Sequence, residues 1–195
     1  DHKFVEIFTE SIPSLVRAAA FQKAGAWIRR DDRIFKEYLA FADSVFLEIF
    51  EFPVLAGDPK TALYDPQSVV IVREVADRFF DVEDGNYQAI LGEFLTLPKG
   101  EERLFKVTAV LETLPTNSSL QFTVLTPYKN NQPYPESNNY FGNCSVYIEL
   151  QSAEDVDGAS EVANSLVEIH LVEKFEMARR VFVGDEEMFF EFILW

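Results

Sequence analysis

The chain is poor in the residues that carry most enzyme chemistry. Its 195 residues include one cysteine, Cys144, and two histidines, His2 and His170. A lone cysteine cannot close an internal disulfide, which points to a cytoplasmic or other reducing intracellular compartment. The patterns Asn117-Ser118-Ser119 and Asn143-Cys144-Ser145 match glycosylation sites, but the lack of paired cysteines argues against secretion. With only eight glycines there is no Gly-rich phosphate cradle, and no Gly-x-Ser-x-Gly nucleophile turn is present. No run of about 18 apolar residues exists. The longest uncharged stretch, Thr113 to Tyr128, is broken by Pro115, Asn117, Ser118, Ser119 and Pro127. Nothing here spans a membrane. The first residue is Asp1 rather than Met, so a processed or trimmed chain is expected.

Positive charge is also scarce. Seventeen Lys and Arg face 33 Asp and Glu, for a net charge of −16. Such a field repels nucleic-acid phosphates and anionic lipid, and attracts a basic partner. The imbalance grows along the chain: −2 over residues 1–64, −5 over 65–127 and −9 over 128–195.

What remains is ordinary globular material. Hydrophobic residues are 48% and charged residues 26%. The length suits a single domain over 1–195 with a core large enough to need no staple.

The first 52 residues read as helix. Phe4, Val5, Ile7 and Phe8 make a short apolar start. Ser11 and Pro13 form a cap and first turn. Leu15 to Ile28 follows roughly helical spacing. A second helix, capped by Asp31 or Asp32, carries Ile34, Phe35, Tyr38, Leu39, Phe41, Ala42, Val45, Phe46, Ile49 and Phe50. Asp65-Pro66 opens a third over 66–80, although Val69-Val70-Ile71-Val72 also suits a strand.

After Asp84-Gly85-Asn86 the period becomes two. Strands are expected over 87–97 and 104–114, joined at Pro98-Lys99-Gly100-Glu101, then over 120–126 and 145–150. Leu166 to Met177 reads as a further strand, because Val167, Ile169 and Leu171 alternate with Glu168 and His170. A last hairpin is expected over 181–195. The sum is an α+β fold. Residues 1–80 form a mainly helical layer on one face of a mostly antiparallel sheet of about six strands, drawn from 87–195. At the level of architecture this order resembles the nuclear-transport-factor-2-like cone, in which a curved sheet wraps helices around a pocket.

Three places invite chemistry. Glu93, between Leu91 and Leu95, is a candidate partly buried carboxylate and ligand-binding group. The polar stretch 128–143 carries Tyr128, Tyr134, Tyr140 and Phe141 among Asn and Pro, a composition that binding loops use. These four are the candidate partner-binding residues. Glu168, His170, Glu173 and Glu176 read as the solvated side of a strand, and Cys144 as a small packing residue. No catalytic, metal or cofactor site is expected. The leading expectation is a noncatalytic acidic interaction or accessory protein that oligomerises or binds a protein partner, a basic partner being the special case that the charge permits. The alternative is a protein or enzyme that holds a small hydrophobic molecule between helices and a curved sheet.

Overall fold

The computed structural model describes residues 2–99, 101–131 and 144–179. In chain order its elements are helix α1 (Lys3–Ser11), strands β1 (Leu15–Lys23), β2 (Ala26–Arg30), β3 (Arg33–Glu37) and β4 (Leu39–Ala42), helix α2 (Phe46–Ile49), strands β5 (Val54–Gly57) and β6 (Ser68–Val72), helix α3 (Arg73–Phe79), strands β7 (Phe94–Lys99), β8 (Glu101–Leu111), β9 (Val124–Pro127) and β10 (Ser145–Leu150), and helix α4 (Val156–Arg179). Short 3-10 turns join several of them.

The ten strands form one mixed sheet in the order β10-β1-β4-β9-β6-β8-β7-β2-β3, with β5 also paired to β8. The β4/β9 and β6/β8 pairs are parallel. The others are antiparallel. The α+β class expected from sequence holds, and so does the mainly antiparallel character. The sheet has ten strands rather than about six.

The helical layer over 1–80 is not found. Residues 15–42 are four strands. The cause lies in β1, where Ala18, Ala19, Ala20 and Phe21 are all buried between the neighbouring strands β10 and β4. A strand covered on both faces loses its period of two and imitates a helix. The two-residue turn Asp31-Asp32, with Asp31 at φ 51°, makes a hairpin of β2 and β3 rather than a helix cap. Strand β6 is the β-branched alternative realised, buried along its whole length between β8 and β9.

The opposite error occurs near the other end of the chain. Residues 166–177 belong to α4 and are not a strand. The expected strand over 87–97 begins only at Phe94, after a 3-10 turn over Tyr87–Ile90. That over 120–126 shortens to β9. The β7/β8 hairpin and β10 stand where the sequence places them. The expected hairpin over 181–195 lies outside the described residues.

Two apolar clusters result. The larger lines the sheet and includes Val69, Val70, Ile71, Val75, Phe79, Leu95, Val110, Leu111 and Leu125. Phe46 sits at its aromatic end, with ring centroids 5.0 Å from both Phe21 and Phe50. Strand β5 closes on β8 through Gly57 at φ +89°, where a Cβ would meet the Thr108 carbonyl oxygen at 2.3 Å. Only glycine fits that approach. The smaller cluster joins α1 to α4: Phe4, Phe8 and Ile12 meet Ala159, Ala163 and Val167, flanked by Leu15, Val146, Ile148 and Leu150 of β1 and β10.

Candidate functional site

Strands β4 and β9 run parallel and end side by side at Ala42 and Pro127. The chain turns away after each, so a crevice opens beyond their C-terminal ends, as is usual where parallel neighbours diverge. The cleft has a volume of about 450 Å³ and is lined by His2, Asp43, Ser44, Tyr64, Tyr128 and Lys129, over a floor of Ala42, Leu63 and Pro127.

Its polar groups are tied to one another. His2 Nε2 lies 2.7 Å from Asp43 Oδ1. Asp43 Oδ2 accepts the Ala20 amide at 2.8 Å, which fixes the carboxylate on β1. The His2 ring stacks on Tyr128, with centroids 4.4 Å apart. The Tyr128 hydroxyl donates to Gln22 Oε1 at 3.1 Å, and Asn131 Nδ2 donates to the same oxygen at 2.6 Å. Lys129 Nζ reaches the Tyr64 carbonyl at 3.5 Å. Burial pushes the Tyr128 hydroxyl well above the ordinary tyrosine range, and the neighbouring Cys144 adds to the rise. Burial likewise raises the Cys144 thiol, while its hydrogen bond with Tyr128 pulls it partly back. A thiol held protonated is a poor nucleophile.

The arrangement orders a helix start. Among the described residues neither Ser44 nor Cys144 bonds to His2, so the His2–Asp43 pair has no nucleophile to activate. What it does is hold the first turn of α1 against the turn that follows β4. No group of three His, Cys, Asp or Glu side chains that could hold a metal stands among the described residues.

The candidates from the sequence are scattered. Tyr128 lines the cleft. Tyr134, Tyr140 and Phe141 lie outside the described residues. Glu93 does not line the cleft and is not buried: its side chain is 51% exposed and pairs with Arg30 at 3.0 Å. It stands just before β7, where its backbone carbonyl accepts the Val107 amide at 2.8 Å. His170 does not meet Cys144. It lies on α4 with its ring edge toward Phe4, centroids 6.3 Å apart. His2 and Asp43 carry no sequence signal, because 41 positions separate them and only the fold joins them.

The comparisons with known proteins bear on the whole arrangement. The family described as the MacB-like periplasmic core domain matches residues 3–166. Among solved structures, the periplasmic region of MacB from Actinobacillus actinomycetemcomitans aligns over 93% of this chain and 83% of its own, at 11% identity and a TM-score of 0.66. The extracellular domain of the ABC-type transporter YknZ from Gram-positive bacteria aligns over 86% of this chain and 82% of its own, at 14% identity and a TM-score of 0.61. At these identities the likeness is one of fold. No curated protein matches the chain.

These findings overturn three expectations. A periplasmic core domain is outside the cytoplasm, so the cytoplasmic or reducing compartment is wrong. The missing disulfide had a simpler cause: a chain this long buries enough apolar surface without one. The acidic accessory protein, oligomeric or bound to a basic partner, gives way to a MacB-like periplasmic core domain. The hydrophobic-ligand reading, with its nuclear-transport-factor-2-like cone, falls for the same reason, and the cleft observed is open and partly polar.

Proposed function

The chain belongs to the MacB-like periplasmic core domain family, and on that footing we propose that it is the extracytoplasmic module of an ABC-type transporter permease. The carrying observation is the contact between α1 and α4. These helices flank the whole sheet in sequence, yet they share one apolar cluster against β1 and β10. A displacement of either helix is therefore passed to the other and to the sheet. The His2–Asp43 latch adds a second tie from α1 to the body of the sheet. No helix among the described residues is long and apolar enough to cross a membrane.

The continuous ten-strand sheet supports reading residues 1–195 as one α+β domain. Within the assembly, the aromatic stretch carrying Tyr128, Tyr134, Tyr140 and Phe141 is our candidate contact with another transporter component. Glu93 is a weaker one, because Arg30 already occupies it.

The test is accessibility in the cell. Tyr64 is 57% exposed. In a Cys144→Ser background, Tyr64→Cys should react with a membrane-impermeant maleimide in intact spheroplasts. The membrane-extracted protein should also copurify with an ATP-hydrolysing subunit. Labelling only after lysis, or a preparation without that subunit, would end this reading.

A further inference from the structure

The cleft beyond β4 and β9 is partly filled by one of the protein's own side chains. His2 lays its ring on Tyr128, with centroids 4.4 Å apart and planes 23° from parallel. Its Nε2 donates to Asp43 Oδ1 at 2.7 Å, since a carboxylate only accepts. From this geometry we infer that Asp43 and Tyr128 form a binding site for a small planar cation with an N–H donor, and that His2 occupies it as an autoinhibitory stand-in.

Both halves of the site are held in place without His2. Asp43 bonds twice to Ala20 of β1: Oδ2 accepts its amide at 2.8 Å, and the Asp43 amide donates to its carbonyl at 3.2 Å. Tyr128 is held through its hydroxyl, which donates to Gln22 Oε1, also of β1, at 3.1 Å. Carboxylate and ring thus share one anchoring strand and keep their places whether or not the histidine is there. Groups preorganised in this way bind with little ordering cost. His2 is the loosest member. Its side chain is 48% exposed, against 21% for Asp43. It stands at the N-cap of α1 yet makes no side-chain bond to that helix, and histidine is not among the residues that cap well. Its ring serves the cleft rather than its own helix.

The stand-in defines the ligand. An aromatic face with a carboxylate at its edge selects a flat group that carries an N–H and a positive charge. The net charge of −16 draws cations to the molecule as a whole. The cleft, about 450 Å³ with Ser44 and Tyr64 over Leu63, has the size of a small-molecule site. Lys129, turned to the Tyr64 carbonyl at 3.5 Å, would lie beside the uncharged or anionic part of such a molecule. An intramolecular occupant competes at an effective concentration of about millimolar or more, so solutes enter when α1 moves and withdraws His2. Helix α1 shares its apolar cluster with α4, and a displacement of either helix therefore opens the site. Reciprocally, a bound ligand favours the displaced helix.

Ligand-observed NMR with imidazole on the full-length protein tests this, at about pH 6, where an imidazole ring is mostly protonated. His2→Ala should show saturation transfer to imidazole, with a Kd on the order of 10 mM for so small a fragment. The wild type should bind at least about tenfold more weakly, its site being occupied from within. Adding Asp43→Asn or Tyr128→Leu to His2→Ala should abolish the signal. Ethylammonium, charged but not flat, should displace imidazole at least about tenfold less well than guanidinium. Circular dichroism checks that each variant is folded, and His2→Ser replaces His2→Ala if the latter is not. Equal transfer in wild type and variant would overturn the inference, as would no transfer from a folded His2→Ala or His2→Ser. Ethylammonium that competes as well as guanidinium would reduce the site to a bare carboxylate and overturn it too.

Discussion

At the scale of single residues, Glu37 shows how this fold handles charge. It is the one charged residue in the buried set among the described residues, at 4% exposure. Arg78 donates to one carboxylate oxygen and Thr123 to the other. Thr123 in turn accepts the Tyr38 amide. The pair therefore pins the end of β3 to α3 and to the segment entering β9. Arg78 also lies over the Phe35 ring, 5.3 Å from its centroid. Arg78→Met keeps much of that packing and removes the cation. A buried charge left without its partner typically costs about 3–5 kcal/mol. Because the Arg78 side chain is 38% exposed, a loss of about 2 kcal/mol is expected here, read as a lower urea midpoint with an unchanged slope. Arg78→Lys should recover part of it. The residue pattern announces none of this. Glu37 follows a basic stretch and reads as surface, and its partners lie 41 and 86 positions away.

At the scale of elements, the informative case is α4. Its alternation of Val167, Ile169 and Leu171 imitates a strand, but Val167 is buried while Ile169 is 57% exposed, so the alternation does not mark one face. The face that matters runs through Ala159, Ala163 and Val167 at intervals of four. Alanine is a weak hydrophobic marker, and a helix that uses it for close approach hides its period. Strand β1 errs the other way, since three consecutive alanines buried on both faces leave no alternation to read. The β7/β8 hairpin was legible because a Pro-Lys-Gly-Glu turn separates two alternating runs. The cleft was not, because it is assembled from the N-terminus, the end of β4 and the end of β9. The α1–α4 contact makes its own prediction. Phe8→Ala should cost about 3 kcal/mol at full burial, and less here because the small cluster can partly collapse. Hydrogen exchange should quicken over residues 3–11 and in the first turns of α4, while the amides of β6 and β8 keep their protection. Uniform loss of protection would show that the two clusters are one cooperative unit.

At the scale of the whole molecule, charge and compartment meet. A net charge of −16 works against the compact state by self-repulsion. The exposed ion pairs that salt also weakens, such as Arg33–Asp81, are each worth no more than about 1 kcal/mol. Screening of the net charge should therefore prevail. Raising sodium chloride from about 0.05 to 0.5 M shortens the screening length to a few ångströms. That should raise the melting temperature by about 3 °C, or about 1 kcal/mol for a chain of this size. A melting temperature that falls with salt would mean that paired charges, not the excess, dominate.

The partnership of β1 with β10 sets an order of events. Leu15 pairs with Leu150, and Phe21 with Ser145. One flank of β1 is thus completed only by a strand more than a hundred positions further on. Contacts so distant in sequence form late. If the chain is delivered across a membrane with its N-terminal side leading, β1 arrives well before β10 and waits for the strands between them. During that interval Leu15–Lys23 is an apolar strand with an open edge, a template for pairing with the wrong chain. The demand for a holding factor during export should therefore be set by the time between the arrival of β1 and that of β10, more than by the stability of the finished sheet.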